Sequence, residues 1–328
     1  MHRQHLIDTI SQAVNTALQA NQPFDEATVA PLREQDSALY DQIMAAYHAA
    51  AHPTTFYQVP IWQPDDRFEQ AYALLEHTFT PDVLDPRRNF VDYLRDLTGP
   101  PDDFVILGRF WRASGRHTYT PAGELAQFAF DPLVSTESIA AVIVGEYISL
   151  AAYTGQPVGL GGISYLATRP ALRRGQGHGT ALTDALETAM RTCAAHNGET
   201  LSYMVLESES RARHYWAKKG YRYPRDSRYV QPPLAYDPQT GVPILNPAPE
   251  TFMLKFMDAA TPPAIDRDEL LLLVRAIYEN QYCPTLPTSA ATERVRHYVL
   301  DTLFGQFAES IAGPGQQVDL IWPPAAED

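Results

Sequence analysis

The sequence predicts a mixed α/β fold: a central sheet of about six or seven strands flanked by helices, with helical extensions at both ends. Three observations point to it. Runs rich in Val, Ile and aromatic residues recur at strand length through the middle of the chain. Amphipathic stretches at helical spacing are interleaved with them. Finally, RRGQGHGTAL (173–182) places glycines at three alternate positions between a strand-like run and an apolar helix.

The N-terminal extension, 1–52, reads as helical because Ile7, Ile10, Val14 and Leu18 recur at three- and four-residue steps. Leu39, Ile43, Met44 and Tyr47 repeat the pattern, with Pro23 in the connection between the two. The central domain, 53–258, opens with the strand TTFYQVPIW (54–62). DRFEQAYALLEHTF (66–79) gathers Phe68, Ala71, Leu74 and Leu75 on one helical face, and NFVDYLRDL (89–97) is a shorter helix. DFVILGRFW (103–111), IAAVIVGEYISL (139–150) and VGLGGISYLAT (158–168) are strands. The polar insert 112–138 is expected to be irregular, too long for a plain hairpin and of a length more often functional or mobile.

GTALTDALETAMRTCAAHNG (179–198) is a helix whose apolar stripe runs from Ala181 to Cys193, with Asn197-Gly198 as its stop. LSYMVLES (201–208) is a strand, and SRARHYWAKKG (210–220) a helix closed by glycine. The insert 224–249 holds seven prolines and reads as an extended loop before the strand TFMLKFMD (251–258). The C-terminal extension, 259–328, carries two amphipathic helices, DELLLLVRAIYEN and TERVRHYVLDTLFGQF.

Composition narrows the function. A net charge of −14 over 328 residues argues against a nucleic-acid binder, which needs a basic face, and favours a cationic partner such as an amine. Cys193 and Cys283 form no CxxC pattern, and the nine histidines other than His178 show no metal-ligand spacing, so no metal is expected. A reducing compartment, a cytoplasmic location and no membrane partner are the expectations from cysteine usage and from short apolar runs.

Three glycines at the mouth of a helix cost backbone entropy, so bare backbone must be useful there. Strand, glycine turn and helix together expose the first N–H groups of the helix and make an anion site. The dinucleotide fingerprint GxGxxG is not met, since the spacing is GxGxG, and the Lys-Ser/Thr of the nucleoside-triphosphate loop is absent. Arg174-Gly175-Gln176-Gly177-His178-Gly179 instead resembles the Arg/Gln-x-x-Gly-x-Gly/Ala signature of the GNAT superfamily of acyl-CoA-dependent N-acyltransferases. Pro170 upstream, Val144-Gly145 on the earlier strand, and Ala212, Trp216, Gly220 and Tyr221 downstream also resemble that family's pattern, over about 54–258.

The resemblance implies acetyl-CoA as cosubstrate and direct attack of an amine on its thioester within a ternary complex. It implies that the backbone of Leu166, Ala167 and Thr168 meets the pantetheine. The amides of Arg174, Gly175, Gln176, Gly177, His178, Gly179 and Thr180 would hold the pyrophosphate, and Trp216 would stand beside the thioester. The strand before the loop lacks the family's frequent glutamate, which leaves Glu146 and Glu207 as candidate bases, or a water chain lined by Tyr147 and Tyr165. Trp216 occupies the place of the family's acid tyrosine; Tyr215 is adjacent, but neighbours on a helix point about 100° apart. Glu209 stands where the family often has an asparagine, and Tyr221, Tyr223 and Tyr229 either line a cleft or fill space beside the proline loop. The acceptor is expected to be an amine-bearing small molecule in preference to a protein, with the extensions enclosing a pocket or forming a homodimer interface. The alternatives are a non-catalytic acyl-CoA sensor and a transferase for a longer acyl chain.

Overall fold

The computed structural model describes residues 56–96, 104–122, 125–172, 176–258, 260–283, 289–313 and 315–323, with six single positions between 33 and 44. Only the backbone is described at Asp96, 112–136 and Ala171. The predicted N-terminal helices fall almost wholly outside these residues; the six single positions are helical.

The chain lays down β1 (Tyr57–Pro60), α1 (Asp66–Thr78), α2 (Arg87–Asp96), β2 (Phe104–Ala122) and β3 (Leu125–Ser149). A short α3 (Ala151–Thr154) leads to β4 (Val158–Thr168), then α4 (His178–His196), β5 (Thr200–Ser208) and α5 (Arg213–Lys218). After β6 (Tyr223–Pro224) come β7 (Thr251–Phe256), β8 (Ala264–Asp266), α6 (Arg267–Gln281) and α7 (Ala290–His297). A π-turn over Tyr298–Leu303 carries α7 into α8 (Phe304–Ser310), and β9 (Gln317–Ile321) follows. The main sheet has six strands in the order β1-β2-β3-β4-β5-β7. All neighbours are antiparallel except β4 and β5, which α4 joins as a parallel crossover. This is a mixed, helix-flanked sheet of six strands, within the six or seven expected from the sequence.

Local chemistry accounts for the elements. The Asp65 carboxylate accepts from the Arg67 and Phe68 N–H groups at 3.0 and 3.2 Å and caps α1. Asp266 does the same for α6 through Asp268 and Glu269. Strand side chains alternate between two covered faces. Val105, Leu107, Ala141, Ile143, Met204 and Leu206 pack under α4, whereas Ile106, Val142 and Val144 meet α1 and α2.

One expectation is corrected. The insert 112–138 is not irregular, because β2 and β3 form a single long hairpin paired from Phe104↔Glu146 to Ala122↔Leu125. Its polar composition concealed strand character: HTYT and QFAF carry the Thr, Tyr and Phe that suit a pleated ladder, and the ladder itself is made by backbone. By contrast, 225–250 holds only two isolated bridges, Gln231↔Ala248 and Tyr236↔Pro243.

The C-terminal helices are part of the sheet's core. Leu270, Leu273, Val274 and Ile277 of α6 pack in one cluster with Val205, Phe252 and Leu254 of β5 and β7. Leu254 is fully buried there. We therefore expect Leu254→Ala to cost about 2–5 kcal/mol of unfolding free energy, read by urea denaturation in a single transition. A loss under about 1 kcal/mol would show that this end of the chain packs loosely.

Candidate active site

The described part of the glycine loop opens α4 on bare backbone. Gly177 is the N-cap of α4 at φ 67°, a conformation that side-chained residues rarely adopt, and no side chain caps the helix. The first helical backbone bond runs from Ala181 N–H to the Gly177 carbonyl at 2.9 Å. The amides of His178, Gly179 and Thr180 thus have no acceptor within the helix. A cavity of about 330 Å³ lies against them, lined also by Thr168, Leu172 and Tyr215. At Gly179 an added Cβ would come within 3.0 Å of the Tyr215 hydroxyl, so glycine keeps that approach open. Arg174 and Gly175 lie outside the described residues.

The His178 side chain turns inward. It is buried, packs edge-on against Phe56 at 4.3 Å between centroids, and its Nε2 lies 3.0 Å from Gln176 Oε1. Burial, and secondarily the charge of Arg109, push its pKa down to about 4, so the ring is neutral near pH 7. Unfolding restores a pKa near 6.5, so the unfolded chain binds the extra proton between about pH 4 and 6.5 and stability falls as pH drops through that window. The loss should reach up to about 3 kcal/mol, and His178→Gln should flatten it in pH-dependent denaturation. An unchanged slope in the variant would remove His178 as the cause.

The sheet splits beside this helix. β4 pairs with β5 only from Val158↔Thr200 to Ile163↔Leu206, although both strands continue. Beyond that point β4 keeps its partner β3 up to Ala141↔Thr168. Arg169 N–H donates to the Ala140 carbonyl at 2.8 Å, so strand alternation spends the Ala167 backbone on Val142 and turns that of Leu166 and Thr168 toward the β5 side. A cleft of about 560 Å³ occupies the split, and Leu166 and Thr168 line it while Ala167, 1% exposed, does not. The expectation for Ala167 is corrected accordingly: its amide faces the neighbouring strand.

Glu207, where β5 leaves β4, faces this cleft and a second cavity of about 220 Å³. Tyr229 donates to its Oε1 and Tyr282 to its Oε2. Burial raises its pKa to about 7 and the charge of Asp85 adds to the rise, against the pull of the two tyrosine bonds. Glu250, on the cleft wall, is likewise raised to about 7 by burial and by Glu207 and Glu209. Glu209 lines the cleft and is ion-paired with Arg211. Glu146 lines only the smaller cavity.

Trp216 and Tyr215 divide the position that the sequence assigned to Trp216. Trp216 is 5% exposed and packs against Tyr221 at 5.5 Å, with one edge on the cleft. Tyr215 lines both the cleft and the cavity at α4, its hydroxyl 3.2 Å from Thr183 Oγ1. Tyr147 is corrected: it is buried under α4 with its hydroxyl on Glu199, away from the cavities. Tyr165 does line them, and its hydroxyl donates to Asp85 Oδ2 at 3.1 Å. Sequence reasoning missed Asp85, Gln231 and the α6 end, Asn280 to Tyr282. The only local signal was the polar NQY that breaks the apolar stripe of α6.

Among the described residues no cluster of His, Cys, Asp and Glu could hold a metal ion, and no helix is long and apolar enough to cross a membrane. No protein-family model and no curated protein matches the chain. Solved structures similar to it are N-acetyltransferases. One is Arabidopsis thaliana NAA60 with acetyl-CoA, 12% identical, TM-score 0.38, covering 62% of this chain and 100% of that one. Another is the ribosomal-protein-S18-alanine N-acetyltransferase of Escherichia coli, 12% identical, TM-score 0.34, covering 63% and 97%. A GNAT family acetyltransferase of Brucella melitensis with acetyl-CoA is 16% identical, TM-score 0.32, covering 63% and 92%.

Proposed function

We propose that this chain is a GNAT-type N-acyltransferase. More narrowly, it moves an acetyl group from acetyl-CoA to the primary amine of a small molecule. One observation carries the reading: a buried carboxylate with its pKa near 7 stands where a split sheet meets a helix with uncapped amides.

The residues fit the cosubstrate. The amides of His178, Gly179 and Thr180, with the positive end of the helix, suit a diphosphate. Leu166 offers ladder groups beyond the last β4–β5 pair, which suits the amides of pantetheine. Acetyl-CoA supplies an activated acyl group. A protonated amine is no nucleophile, so Glu207 takes one proton from the ammonium and leaves a free lone pair for attack on the thioester carbonyl. Each Glu207 oxygen accepts one tyrosine bond, and a carboxylate has room for further donors. As the C–N bond forms and the C–S bond breaks, the nitrogen sheds its second proton to solvent and the departing sulfur takes one from Tyr215, which solvent then re-protonates. The adjacent tyrosine thus serves where Trp216, a poor proton donor, could not.

The test is release of free CoA from acetyl-CoA across a panel of amines. Turnover with at least one amine is expected, and Tyr215→Phe should lower kcat on the order of 10²-fold with acetyl-CoA affinity retained. Tight acetyl-CoA binding without release for any amine would favour a sensor instead. Full activity in Tyr215→Phe would remove it as the acid.

A further inference from the structure

The 220 Å³ cavity beyond Glu207 is smaller than the roughly 300–1,000 Å³ of sites for drug-sized ligands. It joins the cleft at Ile163, Ser164, Tyr165, Leu206 and Glu207. The last turn of α6, with Asn280, Gln281 and Tyr282, forms part of its wall, which leaves little room for a polypeptide.

Its charge is one-sided. Asp85 and Glu207 line it, from two separate parts of the chain, and among the described residues no Lys, Arg or His does. Asp85 and Glu207 are hydrogen-bonded through their side chains only to neutral groups, Asn89 and Tyr165 for one and Tyr229 and Tyr282 for the other. Placing carboxylates together in a half-dry cavity is costly without a counter-charge.

Gln231 is an independent observation. It is 8% exposed, it lines both cavities, and its side-chain amide has no hydrogen-bond partner among the described residues. The amide opens onto both cavities, so its donor and acceptor are available to a ligand there. An ammonium suits its carbonyl oxygen, as it suits the carboxylates around it.

Resting on the acyl-transfer reading, we propose that the acceptor is a compact diamine. One nitrogen meets Glu207 and is acetylated; the second stays protonated in the cavity near Asp85 and Gln231. Asp85 is then a specificity residue, acting on the charge of the acceptor and not on the reacting bond.

Three probes of one length separate the alternatives: 1,4-diaminobutane, 1-aminobutane and 4-aminobutanoate, whose second groups are cationic, apolar and anionic. The diamine should exceed the monoamine in kcat/KM by on the order of 10–100-fold, the worth of one hydrogen bond to a charged group, and the anion should be poorest. Asp85→Asn keeps the shape and should reduce the diamine-to-monoamine ratio about tenfold, chiefly through KM. Calorimetric binding of the diamine to the unaltered protein gives a second readout that needs no variant. Equal rates for the three probes, an unchanged ratio in Asp85→Asn, or acetylation of a peptide amine in preference to all three would overturn the proposal while acetyl transfer stands. Failure of acetyl-CoA to bind at all would overturn both.

Discussion

Glu207→Gln is expected to lower kcat/KM for amine acetylation on the order of 10²–10⁴-fold, the usual contribution of a positioned base. The amide keeps the volume; its oxygen can still accept from one of the two tyrosines while its NH2 must donate to the other hydroxyl, and it cannot take a proton. The pH profile sharpens the test. The carboxylate is the active form, so with a pKa of about 7 the rate of the unaltered enzyme should rise as pH increases through 7 and fall away below it. The variant should lose that limb. A profile that keeps the same rise, at a reduced rate or not, would assign the base elsewhere, with Glu250, also raised to about 7, the next group to change.

Gly177→Glu should weaken acetyl-CoA binding on the order of 10²-fold or more. A carboxylate at the N-cap faces the same free amides as the diphosphate and competes with it by charge. Left-handed backbone also resists a side chain, at roughly 1–2 kcal/mol, and Gly177 sits at φ 67°. Gly177→Ala separates the two causes, since it carries the strain without the charge and should lose only a few-fold in affinity. Calorimetry on both variants, alongside their melting temperatures, reads the difference. Undiminished binding in Gly177→Glu would take the loop out of the site.

Much of this was legible from local chemistry. The strands announced themselves because alternate residues face opposite covered layers, and α4 because its apolar stripe returns every three or four residues. The glycine loop was readable for a similar reason: a positive φ and an uncapped helix start are properties of a few consecutive residues. The β2–β3 hairpin was not, since composition cannot separate a polar ladder from a polar loop when the hydrogen bonds belong to the backbone.

The choice among candidate residues needed the folded chain. Glu146 and Glu207 are alike as letters. What distinguishes them is that β5 parts from β4 beside Glu207 and that two tyrosines 22 and 75 positions further on close over it. Tyr215 and Trp216 are neighbours in sequence, yet the seat of the short α5 sends the indole toward Tyr221 and the phenol to the cleft. Sequence alone determined the fold class and the glycine-led, uncapped start of α4, because periodicity and backbone conformation are set by near neighbours. Tertiary structure decided which carboxylate and which hydroxyl face the cleft, because burial and proton affinity depend on groups that folding brings together.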